Sequence, residues 1–311
     1  MTGDPAPSPV DAIRATARAK VNLYLHVVGR RPDGLHLLDS LVVFADIGDA
    51  LVVRPAADLT LAIDGPFAAA VPAGDDNLVL RAARLLRQRD GAAIRLTKRL
   101  PVAAGLGGGS ADAAAALRAL GRLWRLHSAP GELARLSLEL GADLPVCLAG
   151  GPRFVGGVGD DLAPVPALPP AHLVLVNPGV KLPTAAVYGA RAGAFSAPAR
   201  WREAPADAAT LARRLATCGN DLTAAARRLA PPIDAVLTAL AGRRGCLVAR
   251  LSGSGATCFG LFAAAVEAEA AAAALAAAQP SWWVAAAPML TADLAWPAEA
   301  GFVTAGCAAA G

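Results

Sequence analysis

The sequence has no apolar run long enough to span a membrane. Of its 311 residues 55% are hydrophobic, but alanine carries much of that share, and Gly, Pro or charge interrupts the longest apolar stretches. A soluble chain without a membrane partner is the expectation. Nor does residues 1–10 show the basic-then-apolar pattern of an export signal, so a cytoplasmic location is expected. Rich in Pro and small polar residues, residues 1–14 are expected to be a disordered lead-in. The five cysteines, Cys147, Cys218, Cys246, Cys258 and Cys307, are odd in number and have neither metal-ligand spacing nor the density of a disulfide framework. Buried free thiols are expected. Charge is nearly balanced, with 29 basic against 25 acidic residues for a net +4, too small and dispersed an excess to point to nucleic acid. There is no internal repeat, and no sustained heptad marks an oligomer interface.

What is present suggests two domains sharing a cleft, because 311 residues exceed the size at which one hydrophobic core usually stops growing. Over residues 17–28, Val21, Leu23 and Leu25 alternate with Asn22, Tyr24 and His26, the period of a half-buried strand with its polar face outward. After the turn Arg30-Arg31-Pro32-Asp33-Gly34, further strands are expected at 40–44, 50–54 and 59–63. Residues 77–89 read as an amphipathic helix, 93–98 as a strand and 110–126 as a helix with Ser110 as candidate cap. A Pro-rich patch at 164–170 separates a first domain, 15–168, from a second, 169–311. In the second, strands are expected at 172–176, 248–251, 258–262 and 283–287, with helices at 206–215, 233–241 and 263–278. Hairpin-like pairs mixed with helices make this α+β more than a doubly wound parallel sheet.

The strongest chemical signal is Leu100-Pro101-Val102-Ala103-Ala104-Gly105-Leu106-Gly107-Gly108-Gly109-Ser110-Ala111-Asp112, leading from a strand into a helix. Glycines let backbone N–H groups converge on an anion without Cβ obstruction, and the helix N-terminus adds partial positive charge. A polyphosphate is the expected ligand. No Lys-Ser/Thr pair follows the glycines and the Rossmann spacing is absent, so two common nucleotide-binding classes are excluded.

The pattern Pro-x-x-x-Gly-Leu-Gly-Gly-Gly-Ser resembles the ATP-binding motif of the GHMP kinases, which include galactokinase, homoserine kinase and mevalonate kinase. Ala19-Lys20-Val21-Asn22-Leu23 and Leu251-Ser252-Gly253-Ser254-Gly255-Ala256-Thr257 resemble that superfamily's first and third motifs, in the same order. The resemblance implies a two-domain α+β fold with ATP and substrate in the interdomain cleft. Arg31-Pro32-Asp33-Gly34-Leu35-His36, Gly141-Ala142-Asp143-Leu144-Pro145-Val146, Asn220-Asp221-Leu222 and Pro183-Thr184 before Tyr188 are similar to a branch that phosphorylates an alcohol linked to cytidine diphosphate. The similarity runs from about residue 17 to 290.

By that resemblance Asp143 serves as catalytic base, and Lys20 orients it and offsets charge on the transferring phosphoryl group. ATP is held by 101–111, namely Pro101, Val102, Ala103, Ala104, Gly105, Leu106, Gly107, Gly108, Gly109, Ser110 and Ala111, together with Asn77 and Lys98. Asn22, His36, Thr184, Tyr188, Gly253 and Ser254 take the substrate, with His36 bonding the base and Tyr188 able to stack on it. Mg²⁺ is expected between the ATP phosphates, with Ser110 in support and no dedicated metal cage. One departure stands out: the branch usually carries an aromatic residue where this chain has Leu35. Another alcohol kinase of the superfamily, of homoserine or mevalonate type, and a non-catalytic ATP sensor are the alternatives.

Overall fold

The computed structural model describes residues 12–86, 91–126 and 138–293. Two long strands, β1 (Ile13–Arg30) and β2 (His36–Ala56), form an antiparallel hairpin that organises the first half. β1 starts inside the expected lead-in, of which residues 1–11 lie outside the described residues. β2 runs without a break through the two strands expected at 40–44 and 50–54. Gly48 explains the continuity: a Cβ there would run into the Ala17 carbonyl, so a residue without one permits close pairing with β1. A register shift between Arg18 and Ala19 takes up the irregularity.

A second shift, between Asn22 and Tyr24, corrects the polar-face-out reading of β1. The alternation slips by one residue there, so Val21, Leu23 and Tyr24 all enter one core cluster, and Tyr24 is fully buried. Its hydroxyl is satisfied by donating to Asp39 Oδ2 at 2.9 Å. Burial first, then the Asp39 carboxylate, raises the Tyr24 pKa.

The remaining strands are β3 (Thr60–Asp64), β4 (Gly91–Thr97), β5 (Arg153–Gly157), β6 (Asp161–Pro164), β7 (His172–Asn177), β8 (Cys246–Leu251), β9 (Cys258–Phe262) and β10 (Trp283–Leu290). They form one sheet in the order β3-β4-β2-β10-β7-β9-β8, with β1 and the β5–β6 hairpin attached to β2. Pairing is antiparallel except between β3 and β4. β10 joins the halves, pairing with β7 over Trp283–Pro288 and with β2 through Met289 and Leu290.

The helices are α1 (Leu78–Leu85), α2 (Gly108–Leu123), α3 (Leu144–Ala149), α4 (Thr184–Ala190), α5 (Ala208–Ala216), α6 (Thr223–Leu229), α7 (Pro232–Ala241) and α8 (Ala265–Ala278). Strand alternation decides where each core lies. Leu41 and Val43 of β2, Leu173 and Leu175 of β7, and Phe259 and Leu261 of β9 share a central core with Leu211 and Leu215 of α5. Val42 and Phe44 turn the other way, beneath α1 and α2, while Val174, Val176 and Phe262 pack beneath α6, α7 and α8. Each fully buried large side chain contributes about 1.5–3 kcal/mol. The alanines of α2, Ala111, Ala113–Ala116 and Ala119, are all buried, and their small size brings the helix close to the sheet below the site.

Helix α1 is shorter than the 77–89 expected; its residues 87–89 lie outside the described residues. Cys147, Cys218 and Cys258 are buried free thiols, Cys246 is only half-buried, and Cys307 lies outside the described residues. Among the described residues no helix is long and apolar enough to cross a membrane.

Candidate active site

Between the two halves lies a cavity of about 840 Å³. Its floor follows from strand periodicity, because His36, Leu38, Ser40 and Val42 of β2, two residues apart, all face it. Lys20 and Asn22 of β1 join them, and the glycine loop, the start of α4 and the turn 253–254 close the sides.

The loop between β4 and α2 places Gly105 (φ 75°) and Gly107 (φ 61°) in the left-handed region. Gly107, rather than the expected Ser110, caps α2, which begins at Gly108. A left-handed cap favours a residue without Cβ, so the helix starts two residues earlier than its side-chain pattern suggests. Gly107, Gly108, Gly109 and Ser110 line the cavity, so the unpaired first-turn amides and the positive helix end face it. Ala103, Ala104 and Gly105 also line it. Pro101, Val102, Leu106 and Ala111 do not, and Leu106 and Ala111 are core residues.

Glycine also lets this loop dock on the second half of the chain. A Cβ on Gly105 would stand 2.5 Å from the Ser252 carbonyl oxygen and 2.7 Å from that of Gly255. Ser252 Oγ donates to Gly105 O at 3.0 Å, and Thr257 N donates to Ala104 O at 3.1 Å. Thr184 Oγ1 and Ser254 Oγ, 2.9 Å apart, tie α4 to the same turn.

Lys20 lies against the loop, its N–H donating to Leu106 O at 3.0 Å. Its Nζ reaches both carboxylate oxygens of Asp143, at 3.0 and 3.1 Å. Asp143 precedes α3 without capping it through its side chain, so the carboxylate remains available to the cleft. The lysine side chain is 5% exposed and the aspartate 47%. A pair with one partner so exposed contributes about 0–1 kcal/mol to stability, so its geometry serves the cleft more than the fold.

Asn22 is 4% exposed and its amide orientation is fixed. Ser40 Oγ donates its hydrogen to Tyr24 O at 2.6 Å and can therefore only accept from Asn22 Nδ2, at 2.8 Å. Asn22 Oδ1 is left without a partner, an acceptor that calls for a ligand hydroxyl or amine.

Two residues expected at ATP are engaged elsewhere. Asn77 caps α1, accepting from Val79 N at 2.8 Å and donating to Pro72 O at 2.6 Å, and it does not line the cavity. Lys98 is buried below the first turn of α2, donating to Asp49 Oδ2 at 2.5 Å and Asp112 Oδ2 at 2.7 Å. Burial lowers its pKa, but the Asp112 and Asp49 carboxylates outweigh that and the net shift is upward, so Lys98 is a cation. Asp49 Oδ1 also accepts from Arg99 N and Leu100 N, which pins the entry to the glycine loop. Sequence reasoning missed this trio's two carboxylates. Asp112 did carry a signal, as one charge in a helix stretch otherwise made of alanine and leucine.

At the far end the His36 and Tyr188 rings sit 5.1 Å apart, tilted by 33°. Burial, then the Asp143 carboxylate, raises the Tyr188 pKa. Burial, then the cations Arg30 and Arg191, lowers that of His36, so the imidazole is neutral at pH 7. The structure thus brings Lys20, Asn22, His36, Asp143, Thr184, Tyr188, Gly253 and Ser254 to one cavity.

Comparison with known proteins agrees with this arrangement. Residues 77–151 match the model of the GHMP kinases N terminal domain, and residues 203–281 that of the GHMP kinases C terminal. The 4-diphosphocytidyl-2-C-methyl-D-erythritol kinase of Paramagnetospirillum magneticum is 57% identical over 279 residues, covering 88% of this chain and 98% of the relative. That of Rhodospirillum rubrum is 53% identical, covering 89% and 92%. A crystal structure of 4-(cytidine 5'-diphospho)-2C-methyl-D-erythritol kinase superposes with a TM-score of 0.73 at 36% identity, covering 90% of this chain and all of that one. Homoserine kinase from Cytophaga hutchinsonii shares the fold, with a TM-score of 0.69 at 19% identity over 94% of this chain and 98% of its own. A cleft holding a glycine loop at a helix N-terminus, a lysine–aspartate pair and a ring-lined far end, on a chain this similar to those relatives, places the protein in the 4-diphosphocytidyl-2-C-methyl-D-erythritol kinase family of the GHMP kinases.

Proposed function

We propose that the protein transfers the γ-phosphoryl group of ATP to the 2-hydroxyl of 4-diphosphocytidyl-2-C-methyl-D-erythritol, a step in isoprenoid-precursor synthesis. The observation that carries this reading is the Lys20–Asp143 pair, set between the glycine loop and the His36–Tyr188 end of a single cavity. Asp143 accepts the proton of the attacking hydroxyl, and Lys20 holds the carboxylate and offsets charge on the phosphoryl oxygens. Asn22 Oδ1 accepts from a hydroxyl of the polyol and so orients it. The amides of the glycine loop hold the phosphates, while His36 and Tyr188 meet the cytosine. Phosphoryl transfer needs little more than such positioning and charge stabilisation.

Mg²⁺ fits the donors facing the loop, since Ser110 Oγ and a carboxylate are hard oxygen ligands. Among the described residues no cluster of three His, Cys, Asp or Glu side chains could hold a metal. Ser110 would be its protein contact beside the ATP phosphates, and the ion would neutralise phosphate charge. The first domain carries the ATP loop, and the turn at 252–255 of the second docks on that loop. A sensor on the same fold has no use for the lysine–aspartate pair.

Asp143→Asn tests the assignment. Turnover should fall by about 10²–10⁴, the usual worth of a positioned base. ATP binding and thermal stability should barely change, because the exposed carboxylate contributes little to the fold. Turnover close to that of the unaltered protein would refute the role of Asp143.

A further inference from the structure

Among the described residues the aromatic rings that line the cavity are those of His36 and Tyr188, which lie against each other. Tyr188 leans against His36 as one wall, whereas the turn before His36, which also lines the cavity, ends in Leu35, 51% exposed and without a ring. A base held by a single wall keeps one face in water. The residue placed to cover that face is Arg30. It lines the cavity and pairs directly with His36 across β1 and β2, so both side chains lie on the same face of the sheet.

Three nearby arginines are in different circumstances. Arg31 is paired with Asp33 at 2.7 Å. Arg191 donates to the carbonyls of Gly193 and Ala194 and lies over the Phe195 ring. Arg30 makes one bond, from Nε to Gly34 O at 3.1 Å, and among the described residues no carboxylate meets its guanidinium. The turn beneath it is firm, closed by Gly34 N to Arg31 O at 3.0 Å and Arg31 N to Leu35 O at 2.8 Å. A Cβ on Gly34 would stand 3.5 Å from one terminal nitrogen of Arg30, so the guanidinium rests on the turn at a position open to the cleft.

We propose that Arg30 forms the second wall of the base site, its planar guanidinium stacking on the pyrimidine face opposite Tyr188. This rests on the cytidine reading given above. Guanidinium planes stack on bases as aromatic rings do, and a weakly hydrated cation is less costly to cover than an ammonium. Burial, and after it the same cation, lowers the His36 pKa, which leaves the imidazole one donor and one acceptor for the edge of the base.

Calorimetric titration of cytidine, cytidine diphosphate and ATP into the unaltered protein, Arg30→Ala, Arg30→Lys and Arg30→Tyr tests the proposal. Arg30→Ala should weaken cytidine and cytidine diphosphate by the same factor, roughly five-fold or more, the loss expected for one stacking contact. Arg30→Lys should be as weak, because it keeps the charge and loses the plane. Arg30→Tyr should restore binding, and ATP affinity should be unchanged in all three. If Arg30→Lys keeps full affinity and Arg30→Ala loses only cytidine diphosphate, the arginine serves the diphosphate and the stacking proposal is wrong. Unaltered binding in every variant also overturns it, while leaving the cytidine site intact. If the unaltered protein binds neither cytidine ligand, the cytidine reading fails and this inference fails with it.

Discussion

Replacing Gly105 by alanine probes how the glycine loop is held. The backbone there has φ 75°, and a Cβ would meet the Ser252 and Gly255 carbonyl oxygens at 2.5 and 2.7 Å and Gly255 N at 2.9 Å. All three are backbone atoms, so no side chain can swing aside. The left-handed conformation costs an L-residue roughly 1–2 kcal/mol, and relieving the overlap adds about 1–3 kcal/mol of the kind seen on overpacking. The sum, about 2–5 kcal/mol, should lower Tm by roughly 3–8 °C in a chain of this size. Relief requires the loop and the 252–255 turn to part, which weakens Ser252 Oγ to Gly105 O and Thr257 N to Ala104 O. The KM for ATP should therefore rise as well. Gly121→Ala is the control: within α2, an added Cβ meets nothing within 4 Å among the described residues. Better helix propensity should stabilise that variant by about 1 kcal/mol. Thermal unfolding and ADP-release kinetics on both variants decide the matter. A Gly105→Ala protein with unchanged Tm and unchanged KM would refute the docking of the two loops.

Lys98→Met should destabilise the protein by about 3–5 kcal/mol in urea unfolding, because it leaves Asp49 and Asp112 buried without their cation. A loss no larger than that of Lys20→Met would contradict the structural role of the trio. Cytidine diphosphate affinity should hold steady as pH falls through 6.5 and decline only below it, because the His36 pKa is lowered by burial and by Arg30 and Arg191. The sign for stability is the same: below pH 6.5 the unfolded chain takes up the proton before the folded one does, so this group's contribution falls as pH falls. Titrations in which affinity is already lost above pH 6.5 would contradict the neutral imidazole.

The sequence was most legible where chemistry is written locally. Four glycines between a strand and an alanine-rich helix mark a loop opening onto a helix N-terminus, and the structure has that loop with the cap at Gly107 instead of Ser110. Alternation along β1 correctly sets Lys20 and Asn22 on one face, but it fails from Tyr24 onward, because a β-bulge has no residue signature of its own. Nor does the sequence show that Gly48, between the strands expected at 40–44 and 50–54, is a point of close strand contact inside one continuous strand. The resemblance implies Asn77 and Lys98 at ATP, but it does not show that the side chain of one also caps α1 and that of the other pairs with Asp49 and Asp112. Asp49 is met by Lys98 from 49 residues away, a pairing that no local pattern encodes. The short elements α3, α4, β5 and β6, of four to seven residues each, are too brief to show a period.

ADP release with ATP and Mg²⁺, comparing 4-diphosphocytidyl-2-C-methyl-D-erythritol, homoserine and mevalonate as acceptors, bears most directly on the assigned activity. The account predicts strong selectivity for the cytidine-linked alcohol. Preferential turnover of homoserine or mevalonate, or none with any of the three, would contradict it.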